Sequence, residues 1–513
     1  MLSGIEFFLC AVFSMTVLSL PRSTTTGRIE IASLAVWLAA GALLGVAVMR
    51  FLQEPSFWLD EAFVVLSLRD PSRATIFARL EYGQLFPRIY LAAIALVREA
   101  FGYRIWSLRL LPTVSFVVAT LFWMRLLVLR SRTSVATGVL AGVLLLGSSF
   151  WLDQAIQLKQ YSFDVLLALV PFLLDDAFFK DTLFDGKRKL RLAIIALPCL
   201  LSYTYPLALG ARVFGWYLQE ARGSGLRLRA SAVSVLSGSV MLALAGVWMT
   251  DHRFNLLDGP AYLAYWSDCI LRSCLQHNAS SAPRLLAKFL WGWHGRQPLV
   301  TAGVVPLQIL GVYSVIKRLK TGTASGDQHR WGSRSVGSLV LLSGTILASA
   351  LFNYPICSGR AALFTQVHTQ ILTLEGGLFI YSSRNRIRIT SVILYIFIGV
   401  VLLHSGRDYL RLAKSEPAEN LRPLLPAIST EIASTVWVHP CSTAQVRSLP
   451  DPPAGHIVFG IDEPHPPPGK TWVLWSHLGN ETCARSLEQV RSQARSWQLV
   501  SEGPGRGLAL AEF

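Results

Sequence analysis

Two adjacent carboxylates, Asp60 and Glu61, stand in the run Phe57-Trp58-Leu59-Asp60-Glu61-Ala62. They follow a long apolar stretch, Ile31 to Leu52, where a chain crossing a bilayer would leave it. A charge in hydrocarbon costs roughly 2.5–3.5 kcal/mol on insertion scales, which puts the pair at the membrane–water border. A second cluster, Lys159-Gln160-Tyr161-Ser162-Phe163-Asp164, opens another apolar run, and a third, Tyr354-Pro355-Ile356-Cys357-Ser358-Gly359-Arg360, is a Pro/Gly-broken turn between two such runs. Acids on one side and cations on another suit a reaction with an anionic leaving group. A carboxylate within hydrogen-bond reach can deprotonate an acceptor hydroxyl, while Lys159 and Arg360 can neutralise a departing phosphate. Each cluster also has a plain structural reading. Trp58 with the two acids can anchor a helix end at headgroup level, and adjacency alone keeps Glu61 off the face that Asp60 presents. Lys159 can snorkel and pair with Asp164 inside a bundle, and Arg360 can meet lipid headgroups. No Ser-His-Asp or Cys-His set, no metal-ligand spacing among the ten histidines, no Asp-x-Asp and no glycine-rich phosphate loop is present.

The elements that must position these residues are mostly apolar. Of 513 residues, 52% are hydrophobic and 15% charged, against roughly 25% charged in soluble domains. This composition specifies a polytopic α-helical membrane protein. The net charge of +16 lies in short loops between apolar runs, the positive-inside pattern, and so does not point to nucleic acid. Walking the runs gives about twelve spans. Leu192 to Leu218 is read as a tight hairpin around Ser202-Tyr203-Thr204-Tyr205-Pro206. Phe86 to Phe101 is interrupted by Arg88, Arg98 and Glu99 and is read as an interfacial helix in the first exoplasmic loop, with Arg88 and Glu99 as interfacial polar residues. That choice puts every basic loop on the cytoplasmic side. The mid-spans read as mostly apolar and no internal repeat is visible, which weighs against the alternative of a flippase or transporter using the same charges as a translocation path. Residues 1–405 form the transmembrane unit. Residues 406–513 lose the long apolar runs and carry β-type stretches, Thr435–Val438, His456–Phe459 and Thr471–Trp475, with a helix expected over Leu487–Trp497. They form a small exoplasmic α/β domain. Cys441 with Cys483, and Cys269 with Cys274, are candidate disulfides.

Taken in order and by side, these features resemble the GT-C superfamily of integral-membrane glycosyltransferases, the group that contains protein O-mannosyltransferases and the lipid A aminoarabinose transferase. The resemblance is carried by Trp58-Leu59-Asp60-Glu61-Ala62, by Phe86-Pro87-Arg88-Ile89-Tyr90, by Trp106-Ser107-Leu108-Arg109-Leu110-Leu111-Pro112, by Lys159 to Asp164, by Tyr354 to Arg360, and by the terminal α/β domain. It implies a plasma (inner) membrane enzyme with its site on the exoplasmic or periplasmic side. Such an enzyme takes a sugar from a polyprenyl-phosphate donor and delivers it to an acceptor hydroxyl on a protein, lipid or glycan. By position, Asp60 would be the base and Asp164 the second acid. Glu61, Lys159, Tyr161 and Arg360 would contact substrate, Lys159 at the donor phosphate. The sequence departs from the common His-Pro-Pro at the juxtamembrane helix, having Leu85-Phe86-Pro87. The resemblance fixes no cofactor, and participation of a divalent metal is left open because members of the superfamily differ.

Overall fold

Alternation of long apolar runs with short polar ones produces a stack of helices capped by a sheet. The computed structural model describes residues 28–69, 76–77, 80, 84, 86–131, 135–148, 151–174, 194–220, 266–291, 298–321, 327–356, 363–382, 388–414, 419–477, 480–503 and 505–513, with a few single positions between 237 and 248. The expected spans over Gly4–Leu20 and Ser231–Thr250, and Arg360 itself, lie outside or almost wholly outside these residues.

The first helices are α1 (Arg28–Leu52), α2 (Leu59–Arg69), α3 (Arg88–Phe101), α4 (Ile105–Ser131), α5 (Val135–Leu146), α6 (Tyr161–Leu173) and α7 (Tyr205–Glu220). After two short helices, α8 (Leu271–His277) and α9 (Ala282–Trp291), come α10 (Pro298–Thr321), α11 (Asp327–Phe352), α12 (Leu363–Ser382) and α13 (Arg388–Lys414). Among the described residues three stretches are long and apolar enough to cross a membrane: Ser33–Leu52, Ile105–Arg130 and Trp331–Phe352. The expected count of about twelve is not confirmed among the described residues. One reason is α12, which was expected to be apolar. It instead buries Thr365, Gln366, His368, Thr369, Gln370, Thr373 and Glu375, so its polar side chains face neighbouring helices. The start of the expected hairpin, Leu192 and Ala193, lies outside the described residues.

The main apolar core joins α1, α4, α5, α6, α7 and α10 to α13 around Trp123, Phe172 and Phe364. Helices α10 and α12 meet backbone to backbone. A Cβ at Gly311 would run into the carbonyl of Leu372, and one at Gly376 into that of Leu307, the close approach that small residues permit between membrane helices. A second core lies over one end of the bundle, joining α2, α3, the start of α4, Leu158 and Ala444. At 14 residues, α3 is about 21 Å long, short of a bilayer core of about 30 Å. Its Arg88, expected as an interfacial polar residue, is instead fully buried within the protein, and its guanidinium donates to the Ile76 carbonyl. Glu99 is exposed as expected.

Helix α13 runs on through Gly406 to Lys414. Beyond it are β1 (Thr435–Val438), α14 (Thr443–Arg447), β2 (His456–Phe459), β3 (Lys470–Ser476), α15 (Glu481–Gln493), β4 (Ser496–Gly503) and β5 (Arg506–Glu512). The sheet order is β2-β1-β3-β5-β4. Strands β2, β1 and β3 are parallel, while β5 runs antiparallel to β3 and to β4. Trp437, Val473 and Trp475 pack on one face and Val436, Val438, Trp472 and Leu474 on the other. The helix expected over Leu487–Trp497 begins earlier and ends earlier. Asn480 caps it by accepting from the Thr482 and Cys483 N–H groups, and Trp497 belongs to β4. A disulfide joins Cys441 to Cys483. The expected Cys269–Cys274 bridge is absent: Cys274 is a buried free thiol, and Cys269 is disulfide-bonded elsewhere.

Candidate active site

Helix α2 starts where the extended segment Pro55 to Phe57 ends. Glu61, three residues after the N-cap position Trp58, reaches back to accept the Trp58 N–H at 3.0 Å, half of a capping box. The same carboxylate, 1% exposed, takes three more donors. Arg109 of α4 binds it side-on, Nε to Oε1 at 3.1 Å and Nη2 to Oε2 at 2.5 Å, and the Leu158 N–H donates to Oε1 at 2.6 Å. Two donors on each oxygen fill the lone-pair sites of a carboxylate. The substrate contact expected of Glu61 thus has no open acceptor site behind it. Arg109 completes the junction through Nη1 to the Pro55 carbonyl at 2.6 Å and Nη2 to the Ser56 carbonyl at 3.2 Å, with its guanidinium over the Phe57 ring.

This junction brings the first two sequence clusters together. Asp60 and Lys159 each stand one residue from an end of the Leu158–Glu61 hydrogen bond. Asp60 is half-buried in the first turn of α2. Lys159 is buried, and its Nζ donates to Oε1 of Gln84 at 2.5 Å. Tyr161 is half-buried at the start of α6, against the main core. Asp164 lies one helical turn further in and accepts the Ser202 hydroxyl at 2.5 Å, with the Thr204 hydroxyl 3.0 Å from that of Ser202. The polar tip read from Ser202-Tyr203-Thr204 is therefore the partner of the second acid. Next to it, Phe163 stacks on Tyr90 of α3 with ring centroids 4.7 Å apart.

The terminal domain docks on the same segment. The Ser56 N–H donates to Oδ1 of Asn420, the Ser56 hydroxyl donates to the Glu419 carbonyl, and the Leu421 N–H donates to the Ser56 hydroxyl. Gln445 Nε2 donates to both the Phe57 carbonyl and the Glu419 carboxylate. Tyr103 and Arg69 donate to the carbonyls of Ser448 and Arg447. Glu419 also holds the imidazole Nδ1 of His477 at 2.7 Å. That hydrogen bond, together with the charges of Glu419 and Asp60, raises the His477 pKa above its ordinary value against the opposing effect of partial burial.

The sequence reading missed three of these residues. Arg109 had a signal, a lone cation within an apolar run, which in a membrane protein marks a partner. Glu419 and His477 had none, because their neighbourhood depends on how the terminal domain docks. Among the described residues no group of three His, Cys, Asp or Glu side chains converges to hold a metal.

No family model and no curated protein matches the chain. Among solved structures, it is similar to the crystal structure of ArnT from Cupriavidus metallidurans bound to undecaprenyl phosphate, at 12% identity over 93% of this chain and 97% of that one, with a TM-score of 0.47. It is also similar to the same protein in the apo state, at 11% identity over 91% and 97%, with a TM-score of 0.36. Likenesses at that level say nothing about chemistry. By its own helices and sheet, the chain is a mostly helical protein with membrane-length apolar helices and a C-terminal sheet domain docked over one end of the bundle.

Proposed function

We propose that this chain is a membrane glycosyltransferase that moves a sugar from a polyprenyl-phosphate donor to an acceptor hydroxyl on the exoplasmic side. The observation that carries the reading is the Leu158–Glu61 hydrogen bond, which sets a half-buried carboxylate, Asp60, beside a buried cation, Lys159, at the end of a membrane-length helix. In this scheme Asp60 takes the proton of the acceptor hydroxyl as its oxygen attacks the anomeric carbon. The carbon–oxygen bond to the lipid phosphate breaks, its electron pair leaves with the phosphate, and Lys159 neutralises that charge. Asp164, Tyr161 and Arg360 complete the donor side, and Glu61 holds the parts in register. The exoplasmic placement is supported by the disulfide in the terminal domain, a bond characteristic of oxidising compartments. The lipid tail of the donor would lie in the bilayer, with its sugar at the α2–α3 layer.

The polar face of α12 favours a second reading, a translocation path through the bundle. Against it, the best-bonded of these side chains are tied to neighbouring helices: Gln370 accepts from Trp123 and donates to Leu144 and Ser148, and Ser338 pairs with His368 Nδ1, although Gln366 and His368 Nε2 are buried without a partner among the described residues.

Membranes containing the full chain, incubated with a panel of radiolabelled polyprenyl-phosphate sugars, test the proposal. Loss of a general base costs on the order of 10²–10⁴ in rate, so Asp60→Asn should reduce transfer to background while the protein inserts normally. Lys159→Ala should raise the donor KM. Near-parental transfer by Asp60→Asn would refute the assignment. Transbilayer movement of a labelled lipid sugar that needs no acceptor and is unaffected by Asp60→Asn would favour the path.

A further inference from the structure

We infer, resting on the transferase reading, that the terminal domain is part of the active site and that His477, held by Glu419, is a positioning residue for Asp60. Three independent features point there. The first is topology. In the parallel part of the sheet β2 lies on one side of β1 and β3 on the other, so the chain switches direction between β1 and β3. In open α/β sheets ligands bind outside the carboxyl ends of the strands at such a switch point. His477 immediately follows β3 at that end, and the residues around it dock on the segment leading into Asp60.

The second is strain. Among the described residues four non-glycines have positive φ: Glu54 at 43°, Asn353 at 55°, Glu419 at 65° and His477 at 64°. Three of the four meet at this junction. Glu419 and His477 bond each other, and Glu54 pairs with Arg422 three residues after Glu419. Costly backbone conformations held in one cluster point to a functional site.

The third is the dyad itself. With the Glu419 carboxylate on Nδ1, the imidazole is fixed in orientation, and Nε2 is its second nitrogen. Glu419 and Asp60 are the charged groups acting on it. Gln445 ties the Glu419 carboxylate that holds this imidazole to the Phe57 carbonyl, three residues before Asp60, and an imidazolium there favours the ionised Asp60 carboxylate that the acceptor proton must reach.

The test is a pH–rate profile of the purified full-length protein in lipid nanodiscs with a competent polyprenyl-phosphate sugar. Removing the imidazolium makes Asp60 easier to protonate. His477→Gln should therefore lower kcat about tenfold, move the acid limb to higher pH, and leave the donor KM within about twofold. A merely structural role would lower the folded fraction without moving the limb. Glu419→Gln keeps a hydrogen-bond acceptor and removes the charge, so it should move the limb the same way by less, and it decides the matter if His477→Gln does not fold. An unmoved acid limb in the folded variant overturns the inference while leaving the transferase standing. If the parent transfers no sugar, the transferase reading and the inference fall together.

Discussion

Glu61 and Glu375 are two buried carboxylates at opposite ends of α4, and they do different things. Arg109 binds the first and Arg130 lies 3.9 Å from the second. Twenty-one residues of helix separate these arginines, about 31 Å at 1.5 Å per residue, close to the thickness of a hydrocarbon core. Glu375 of α12 takes its donors from the side chains of other helices, Arg318 of α10 and Trp331 and Ser335 of α11. Glu61 takes two of its four donors from backbone, at Trp58 and Leu158, and the neighbours of those segments are Asp60 and Lys159. One acid locks whole helices together, and the other sets short segments whose next residues are the half-buried Asp60 and the buried Lys159. A buried acid in a helical bundle therefore marks a junction, and what it joins decides whether catalysis lies nearby.

The comparison is most directly broken by removing each acid. Taking one partner from a buried ion pair costs roughly 3–5 kcal/mol, so Glu61→Ala and Glu375→Ala should both lower the melting temperature strongly. Their activities should separate. Per folded molecule, Glu375→Ala should transfer sugar at close to the parental rate, and Glu61→Ala should lose transfer because Asp60 and Lys159 are no longer registered. Equal specific activities in the two variants, measured against the folded fraction, would erase the distinction drawn here.

How much of this was legible depended on whether a residue's partners are local. Strands β1 and β2 match their sequence ranges at both ends, because short apolar β-type runs bounded by turn residues carry their own signal. Strands β4 and β5 were not read, and Trp497 was placed in a helix. Helix α15 starts six residues earlier than expected because Asn480 caps it. Asp60, Lys159 and Asp164 were found as clusters of charge beside apolar runs, and the fold brings their segments together. The use of Glu61 could not be seen, since three of its four bonds go to Arg109 and Leu158. Likewise α12 reads as a span by its leucines and isoleucines, and only packing shows that its glutamines and threonines are all inside.

A smaller effect is expected from changing the shape of the cation while keeping its charge. Arg109 uses Nε and both Nη groups on Glu61, Pro55 and Ser56. Lysine offers a point charge and cannot make that fork. Arg109→Lys should cost roughly 2 kcal/mol, one or two charged hydrogen bonds, and should depress transfer more than stability, since the Pro55 to Phe57 segment leads into Asp60. If chemical denaturation shows the loss and the transfer rate does not move, Arg109 is a stability residue and the two ends of α4 are alike after all.

The smallest effect should separate the two ends by pH. The folded-state pKa of His477 lies above that of a free histidine, chiefly through its hydrogen bond to Glu419. A group raised in this way contributes its full stabilisation below the unfolded pKa of about 6.5 and loses it as pH rises through the folded value. Docking of the terminal domain on Ser56 and Phe57 should therefore loosen as the pH rises above about 6.5 and through the raised folded-state value. The Glu375 network has no histidine among its donors and should not respond over that range. Hydrogen exchange at the Ser56 and Leu421 amides, both bonded across the docking surface, reads the loosening directly once the intrinsic rise of exchange with pH is divided out. Those amides should lose protection as the imidazole deprotonates, and His477→Gln should remove the pH dependence of that protection. A protection factor flat across the range in the parent would mean that the Glu419–His477 pair does not hold the domain in place.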